Sequence, residues 1–272
     1  MHDMTDQYAV VGNPVAHSKS PQIHAEFARQ TGQDMSYERL LAPLGGFAET
    51  VEAFRQAGGK GLNVTVPFKE EAYRYATRKS ERAEAAGAVN TLKFDNGLIM
   101  GDNTDGAGLV RDLTANLKLQ LNGKRILLMG AGGAARGVIG PLLAEKPAAL
   151  SLANRTVEKA LRLAGLFDGK ISGVSYAALS GERFDVVINA TAASLKGELP
   201  PLPDQLFNPG ALAYDMMYGA ETSFMAWARR HGASQVADGL GMLVEQAAES
   251  FFLWRGVRPD TAPVIQKLRP SA

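Results

Sequence analysis

The chain has 272 residues, enough for one or two domains, with 46% apolar and 21% charged residues, an ordinary balance for a soluble globular protein. A net charge of +1 excludes a broad basic field for nucleic acid or an anionic membrane, and no apolar run reaches transmembrane length. The absence of cysteine excludes disulfides, thiolate metal sites and cysteine nucleophiles; with an acidic, polar start unlike a signal peptide, the expected setting is the cytoplasm.

In chain order, Tyr8–Val11 reads as a short buried strand stopped by Gly12-Asn13-Pro14. The residues before Tyr8 read as a variable tail. A helix is expected over Pro21–Gln30, closed by Gly32, with Ser20 as its N-cap and Pro21 as its first residue. Capping accounts for Ser20 but not for Ser18. Two hydroxyls at a helix start also suit an anionic or polyhydroxylated small molecule. Met35–Leu40 reads as a strand and Gly46–Ala57 as an amphipathic helix.

Gly61-Leu-Asn-Val-Thr-Val-Pro-Phe-Lys69 alternates, placing Leu62, Val64 and Val66 on one face and Asn63 and Thr65 on the other. Lys69 falls at the start of the next helix, where a cation opposes the helix dipole, so it is either a solvated lysine or one held by a substrate or a carboxylate. Glu71–Ala86 reads as one helix and Gly87–Phe94 as a strand, which Asp95-Asn96-Gly97 turns into Leu98–Met100 as a hairpin. Asp102, Asn103 and Asp105 precede a helix over Ala107–Asn116. They serve as caps and turn formers, or as the start of a polar site; no set of ligands is spaced to complete a metal site, and none is expected.

The most informative stretch is Arg125-Ile-Leu-Leu-Met-Gly-Ala-Gly-Gly-Ala-Ala-Arg136. It reads as a buried strand, a glycine turn and a helix, with Gly130-x-Gly132-x-x-Ala135 as a dinucleotide fingerprint. Gly130 permits the tight turn, Gly132 lets a pyrophosphate approach the backbone, and Ala135 lets the helix pack on the strand. The helix Ala134–Leu143 and strand Ala149–Ala153 complete a βαβ unit. That strand ends in Asn154-Arg155-Thr156, with Lys159 one turn on and no acid for a ribose 2′-hydroxyl. A guanidinium, an ammonium and a hydroxyl suit a 2′-phosphate, so the expected cofactor is NADP. Strands Phe184–Ala190, Ala211–Asp215 and Gln235–Ala237, and helices Glu221–His231 and Met242–Trp254, complete the pattern. The fold class is α/β, with two α/β domains. The second is a Rossmann-like, doubly wound parallel sheet.

Taken together, the chain resembles the shikimate dehydrogenase family over nearly its whole length. The motifs that carry the resemblance are Ser18-Lys19-Ser20, Asn63-Val-Thr-Val-Pro-Phe-Lys69, Gly87-Ala-Val-Asn-Thr91, Asn103-Thr-Asp-Gly106, Gly130-Ala-Gly-Gly-Ala134, Asn154-Arg-Thr156, Asn189-Ala-Thr191, Tyr214-Asp-Met216 and Gly239-Leu-Gly-Met-Leu243. The resemblance implies reversible, NADPH-dependent reduction of 3-dehydroshikimate to shikimate, a step towards chorismate and the aromatic amino acids. It implies that Lys69 and Asp105 flank the reacting oxygen, and that Ser18, Ser20, Asn63, Thr65, Asn90, Tyr218 and Gln246 hold the substrate. For NADP it implies Gly130, Ala131, Gly132, Gly133 and Ala134 at the pyrophosphate and Asn154, Arg155, Thr156 and Lys159 at the adenine end, with Glu81, Met216 and Gly239 lining the cofactor side. It implies a substrate domain from residues 1–105 and 239–272, an NADP domain from 106–238, a cleft between them, and a monomer or homodimer. Ala192, Ala193 and Ser194 depart from the family pattern after Thr191, and Lys159 stands where arginine is frequent. A quinate-oxidising relative with relaxed cofactor use and a non-catalytic NADP sensor are the alternative readings; Arg155 argues against the first, and Lys69 with Asp105 against the second.

Overall fold

The computed structural model describes residues 5–191, 193 and 197–269. Its elements run β1 (Asp6–Gly12), α1 (Ser20–Thr31), β2 (Met35–Leu41), α2 (Phe47–Gln56), β3 (Gly61–Val64), α3 (Lys69–Tyr75), β4 (Arg78–Lys79), α4 (Glu81–Ala86), β5 (Thr91–Asp95), β6 (Leu98–Asp102) and α5 (Asp105–Arg111). There follow β7 (Arg125–Met129), α6 (Gly133–Ala144), β8 (Ala149–Ala153), α7 (Val157–Ala164), β9 (Ser172–Val174), β10 (Phe184–Asn189), β11 (Phe207–Asp215), α8 (Ser223–Arg230), β12 (Gln235–Ala237), α9 (Leu240–Arg255) and α10 (Ala262–Leu268). They form two compact units. One runs through Gly108 and resumes at Leu243; the other is Leu109–Met242. The divisions fall inside α5 and α9. No described helix is long and apolar enough to cross a membrane.

The first unit is built on a mixed sheet of order β2-β1-β3-β5-β6-β4. β1 pairs in parallel with β2 and β3, whereas β5 is antiparallel to β3 and β6. The β5–β6 hairpin turns on Asn96 (φ 45°) and Gly97 (φ 83°), the left-handed pair that a two-residue hairpin demands. Ala9, Val11, Leu62, Val64, Phe47, Phe68 and Val89 fill one core. An aromatic cluster of His24, Phe27, Tyr37, Phe251 and Trp254 joins α1 and β2 to α9. Trp254 approaches Gly61 so closely that an added Cβ would lie 2.5 Å from Nε1. Arg82 bridges Asp102 (2.5 Å) and Glu249 (3.0 Å), and Arg258 bridges Glu249 (2.5 Å) and Glu245 (3.4 Å), tying the C-terminal segment to β6.

In the second unit all six strands are parallel, in the order β12-β11-β10-β7-β8-β9. Both faces of β7 are buried: Ile126 and Leu128 pack with Val138, Leu142 and Leu152, while Leu127 and Met129 pack with Phe184, Phe224 and Trp227. A continuous apolar strand is therefore what a sheet covered on both sides requires. The order of strand addition reverses between β7 and β10, so the loops leaving these two parallel strands diverge and open a crevice at their carboxyl ends.

Several expectations are corrected. The single helix over Glu71–Ala86 is two helices separated by β4, which pairs with β6. The break is made by contact with β6, where Thr77 exchanges hydrogen bonds with Ile99, and the Ser80 hydroxyl then caps α4 by accepting from Ala83 N. Gly87 is not a strand residue but the left-handed C-cap of α4 (φ 61°). Val66 is 66% exposed, because the strand ends at Val64 before the alternation reaches it. Ser20 is the first residue of α1 rather than its cap, and its N–H donates to the Ser18 hydroxyl. Asp6 and Gln7 are no tail: both lie in β1, and Asp6 is ion-paired with Arg255.

Candidate active site and cofactor cavity

The turn that ends α4 and the end of β6 bring the polar residues of the first unit together. Lys69 opens α3, where its carbonyl accepts from Val89 N. Its ammonium donates to Asp105 Oδ2 at 2.5 Å. Asp105 is the first residue of α5, and its N–H is held by Asn103 Oδ1 at 3.1 Å. A carboxylate there is favoured by the helix dipole, whereas the Lys69 ammonium opposes the dipole of α3 and is held by the acid. The second Asp105 oxygen accepts from Asn90 Nδ2 at 2.8 Å. The Asn90 Oδ1 accepts from Thr104 N and the Thr91 hydroxyl, both at 2.9 Å, which fixes which way its amide faces. Gln246, on α9, places Oε1 3.4 Å from Asn90 Nδ2. The Lys69 side chain remains 31% exposed, so the ammonium is open to exchange with water while its partner is largely covered.

The other expected substrate residues are less uniform. Ser18 and Ser20 start α1, and the Ser18 carbonyl is gripped by the Arg39 guanidinium at 2.7 and 3.1 Å. Thr65 follows β3, with its N–H on the Val11 carbonyl. Asn63 is turned on the protein itself: Oδ1 accepts from Tyr37 at 2.7 Å and faces His24 Nε2 at 3.2 Å, while Nδ2 donates to Ser250 at 2.9 Å, with Thr91 and the Asn90 carbonyl beside it. Tyr218 is carried by the second unit on the loop after β11, and burial raises its hydroxyl above the ordinary tyrosine value. Sequence reading gave no role to Tyr37, His24, Thr91 or Ser250. Tyr37, His24 and Ser250 lie in segments whose pattern reads only as structure, and Thr91 closes a motif in which only Asn90 was given a role.

The crevice of the second unit holds a cavity of about 430 Å³, lined by Gly130–Ala134, Asn154, Arg155, Tyr176, Ala190, Thr191, Ala193 and the chain from Glu198 to Pro201. The walls leave β7, β8 and β10 at their carboxyl ends. Gly130 adopts φ 111°, with the Ala190 carbonyl 3.0 Å from where a Cβ would sit. A Cβ on Gly132 or Gly133 meets nothing within 4 Å, so both present open backbone to the cavity. The first residues of α6 line the same space and turn its positive end towards it. Arg155 and Thr156 stand at the start of α7 with Lys159 in its first turn, and Asn154 Nδ2 holds the Thr156 carbonyl at 2.9 Å. The Thr156 side chain does not cap α7. Bare glycine backbone, a helix N-terminus and a basic rim fit a phosphorylated dinucleotide.

Tyr176 was missed from sequence; it lines the cavity, and burial pushes its hydroxyl up to about 12. Gly239 has a steric reason: a Cβ there would lie 2.3 Å from the Met216 carbonyl oxygen. Met216 donates its N–H to Asn189 O. Glu81, by contrast, is an exposed acid in the first turn of α4, in the first unit. Ala192 and Ser194 lie outside the described residues. Among the described residues no group of His, Asp and Glu is arranged to hold a metal ion.

Family models match in three blocks: the shikimate dehydrogenase substrate binding domain over residues 10–92, the shikimate / quinate 5-dehydrogenase model over 112–196, and the shikimate 5′-dehydrogenase C-terminal domain over 239–269. The shikimate dehydrogenase (NADP(+)) of Nitrosospira multiformis is 64% identical over 271 residues, covering 98% of each chain. The chain belongs to the shikimate dehydrogenase family. Among solved members of this fold, an Ael1 enzyme from Pseudomonas putida superposes with a TM-score of 0.94 at 48% identity, covering 98% of this chain and 99% of that one. The shikimate 5-dehydrogenase of Thermus thermophilus, solved with NADP(H) and shikimate, gives 0.86 at 34% identity over 96% and 97% of the two chains.

Within that family the glycine cradle yields a prediction. Gly132→Ala leaves the melting temperature nearly unchanged, since its methyl group enters open space. It weakens NADPH binding at least about tenfold, because the methyl takes the room the pyrophosphate needs beside the backbone. Titration by nicotinamide fluorescence checks this, and parent-like affinity would remove the cradle from the site.

Proposed function

We propose that this protein catalyses the reversible, NADPH-dependent reduction of 3-dehydroshikimate to shikimate. The observation that carries the reading is the Lys69–Asp105 pair at 2.5 Å, set among amide and hydroxyl side chains in a chain that also bears a dinucleotide cavity. NADPH, when bound, supplies the hydride to the ring ketone carbon. Lys69 meets the negative charge that develops on the ketone oxygen and donates the proton that completes the alcohol. In oxidation Lys69 accepts that proton instead. Asp105 keeps the ammonium in place, and Asn90 keeps Asp105 in place through its 2.8 Å bond. Because Lys69 is partly exposed, its amine regains a proton from solvent between turnovers. Ser18, Ser20, Thr65, Asn90 and Gln246 offer the hydroxyls and amides that a carboxylate and ring hydroxyls require.

The cofactor is NADP rather than NAD, because Asn154-Arg155-Thr156 offers a cation and a hydroxyl, and no acid, directly at the end of β8. Shikimate oxidation followed by absorbance with NADP⁺ beside NAD⁺, and with quinate as the competing substrate, tests the whole reading. Shikimate with NADP⁺ is expected to be fastest. No turnover, or faster turnover of quinate, would replace it with the alternatives above.

A further inference from the structure

A single phenol holds one of the residues expected at the substrate. Tyr37, in β2, donates its hydroxyl to Asn63 Oδ1 at 2.7 Å. Burial holds the Tyr37 proton on, well above the ordinary phenol range. The His24 ring stacks on Tyr37 at 4.2 Å and 9°, with Nε2 3.2 Å from the same Asn63 oxygen. Burial brings His24 down to about 3, so the ring is neutral and carries one proton. Placed on Nε2, that proton is a second donor to Asn63 Oδ1, and Nδ1 is left a buried acceptor with no hydrogen-bond partner.

The Asn90 carbonyl can only accept, and it sets the Asn63 amide: Nδ2 points at it with Ser250 and Thr91 alongside, so Oδ1 faces the Tyr37 hydroxyl and His24 Nε2. Thr91 in turn donates to Asn90 Oδ1, and Asn90 Nδ2 donates to Asp105, which holds Lys69. The sequence of contacts therefore runs from Tyr37 through Asn63, Thr91, Asn90 and Asp105 to Lys69, entirely within the first unit. Asn63 is 6% exposed and its hydrogen-bonding capacity is used internally.

We propose that Tyr37 is a positioning residue of the substrate site: its hydroxyl, bonded to Asn63 and backed by the stacked His24 ring, sets the geometry of Asn90 and Asp105 beside the substrate, and Asn63 acts through these neighbours rather than on the substrate. The inference rests on the activity proposed above.

Tyr37→Phe keeps the ring, the stacking and the buried area and removes only the hydroxyl. The expected result is a fall of about tenfold in kcat/KM for 3-dehydroshikimate, the size of one lost buried hydrogen bond, with a raised substrate KM and an unchanged KM for NADPH. Shikimate affinity by calorimetry falls in parallel. In a Thr91→Ala background, which cuts the link between Asn63 and Asn90, the effect of Tyr37→Phe on substrate KM shrinks to less than about twofold. Tyr75→Phe, which removes a phenol bonded to Glu52 in the same unit at 3.2 Å, serves as control and retains parent kinetics. Parent-like constants in Tyr37→Phe, a loss in kcat alone with both KM values unchanged, full additivity with Thr91→Ala, or an equal loss in Tyr75→Phe would each overturn the positioning role. A parent enzyme that neither binds shikimate nor reduces 3-dehydroshikimate would sink the proposed activity and this inference with it, whereas an active parent with an indifferent Tyr37→Phe sinks this inference alone.

Discussion

Lys69→Ala lowers kcat for 3-dehydroshikimate reduction by about 10²- to 10⁴-fold, while the substrate KM changes by less than about tenfold. The asymmetry follows from where the charge is needed. A neutral ketone gains little from an ammonium, but the oxygen that receives charge as the hydride arrives gains much, so the interaction is made mainly in the transition state. The protein tolerates the loss. Lys69 sits at the positive end of α3, so removing it relieves an unfavourable dipole interaction. Asp105 keeps its Asn90 bond and its place at the start of α5. Asp105→Asn is the companion variant: it keeps a polar group near the ammonium but releases the hold at 2.5 Å. The double variant should be little worse than Lys69→Ala, because the two side chains work as one device. Steady-state kinetics in both directions, with circular dichroism to show folding, checks the set. A raised KM at near-normal kcat would assign Lys69 to binding alone.

What the sequence made legible is what local pattern controls. The Arg125–Met129 strand and the glycine turn after it were readable because a parallel sheet buried on both faces demands an unbroken apolar strand and then a residue with positive φ. The Asn96-Gly97 hairpin was readable for the same kind of reason. Glu71–Ala86 was misread as one helix because its composition is helical throughout. Only the pairing of Arg78–Lys79 with β6, a contact 22 residues away, breaks it. The Lys69–Asp105 contact spans 36 positions, and no periodicity announces it; the motifs of the family did.

The misses in the site have a common cause. Tyr37 sits in a half-exposed edge strand, and His24 on the apolar face of α1, where a histidine reads as core. Their meaning lies in a shared acceptor, Asn63, 26 and 39 residues further along the chain. Asn63 itself was picked out by its place in a motif, but not its internal partners, which depend on how donors and acceptors from distant segments meet around one amide. Polar networks of this kind are all-or-none in geometry, and sequence reports their members without their connections.

Arg155→Ala reduces kcat/KM for NADPH about 10- to 100-fold and leaves the weaker use of NADH nearly unchanged, since only the 2′-phosphate distinguishes the two and a charge-assisted contact of this kind is worth about 1.5–3 kcal/mol. Arg155 is exposed, so solvent and salt reduce what its charge contributes, and the lower part of that range should apply as ionic strength rises. Lys159→Ala has a smaller effect, because an ammonium is a point charge on a flexible stem and lacks the planar fork that matches two phosphate oxygens. Thr156 and the start of α7 remain in both variants, so neither abolishes NADPH use. Arg155→Asp goes further: it places a repelling charge against the phosphate and an acceptor within reach of a ribose hydroxyl, and should invert the preference towards NADH. The measurement is the ratio of kcat/KM values for the two cofactors at fixed substrate, repeated at two salt concentrations. An equal loss with NADPH and NADH in Arg155→Ala would mean that the guanidinium holds the adenine or shapes the cavity wall beside Tyr176, and the selectivity would then have to come from Lys159 and Thr156.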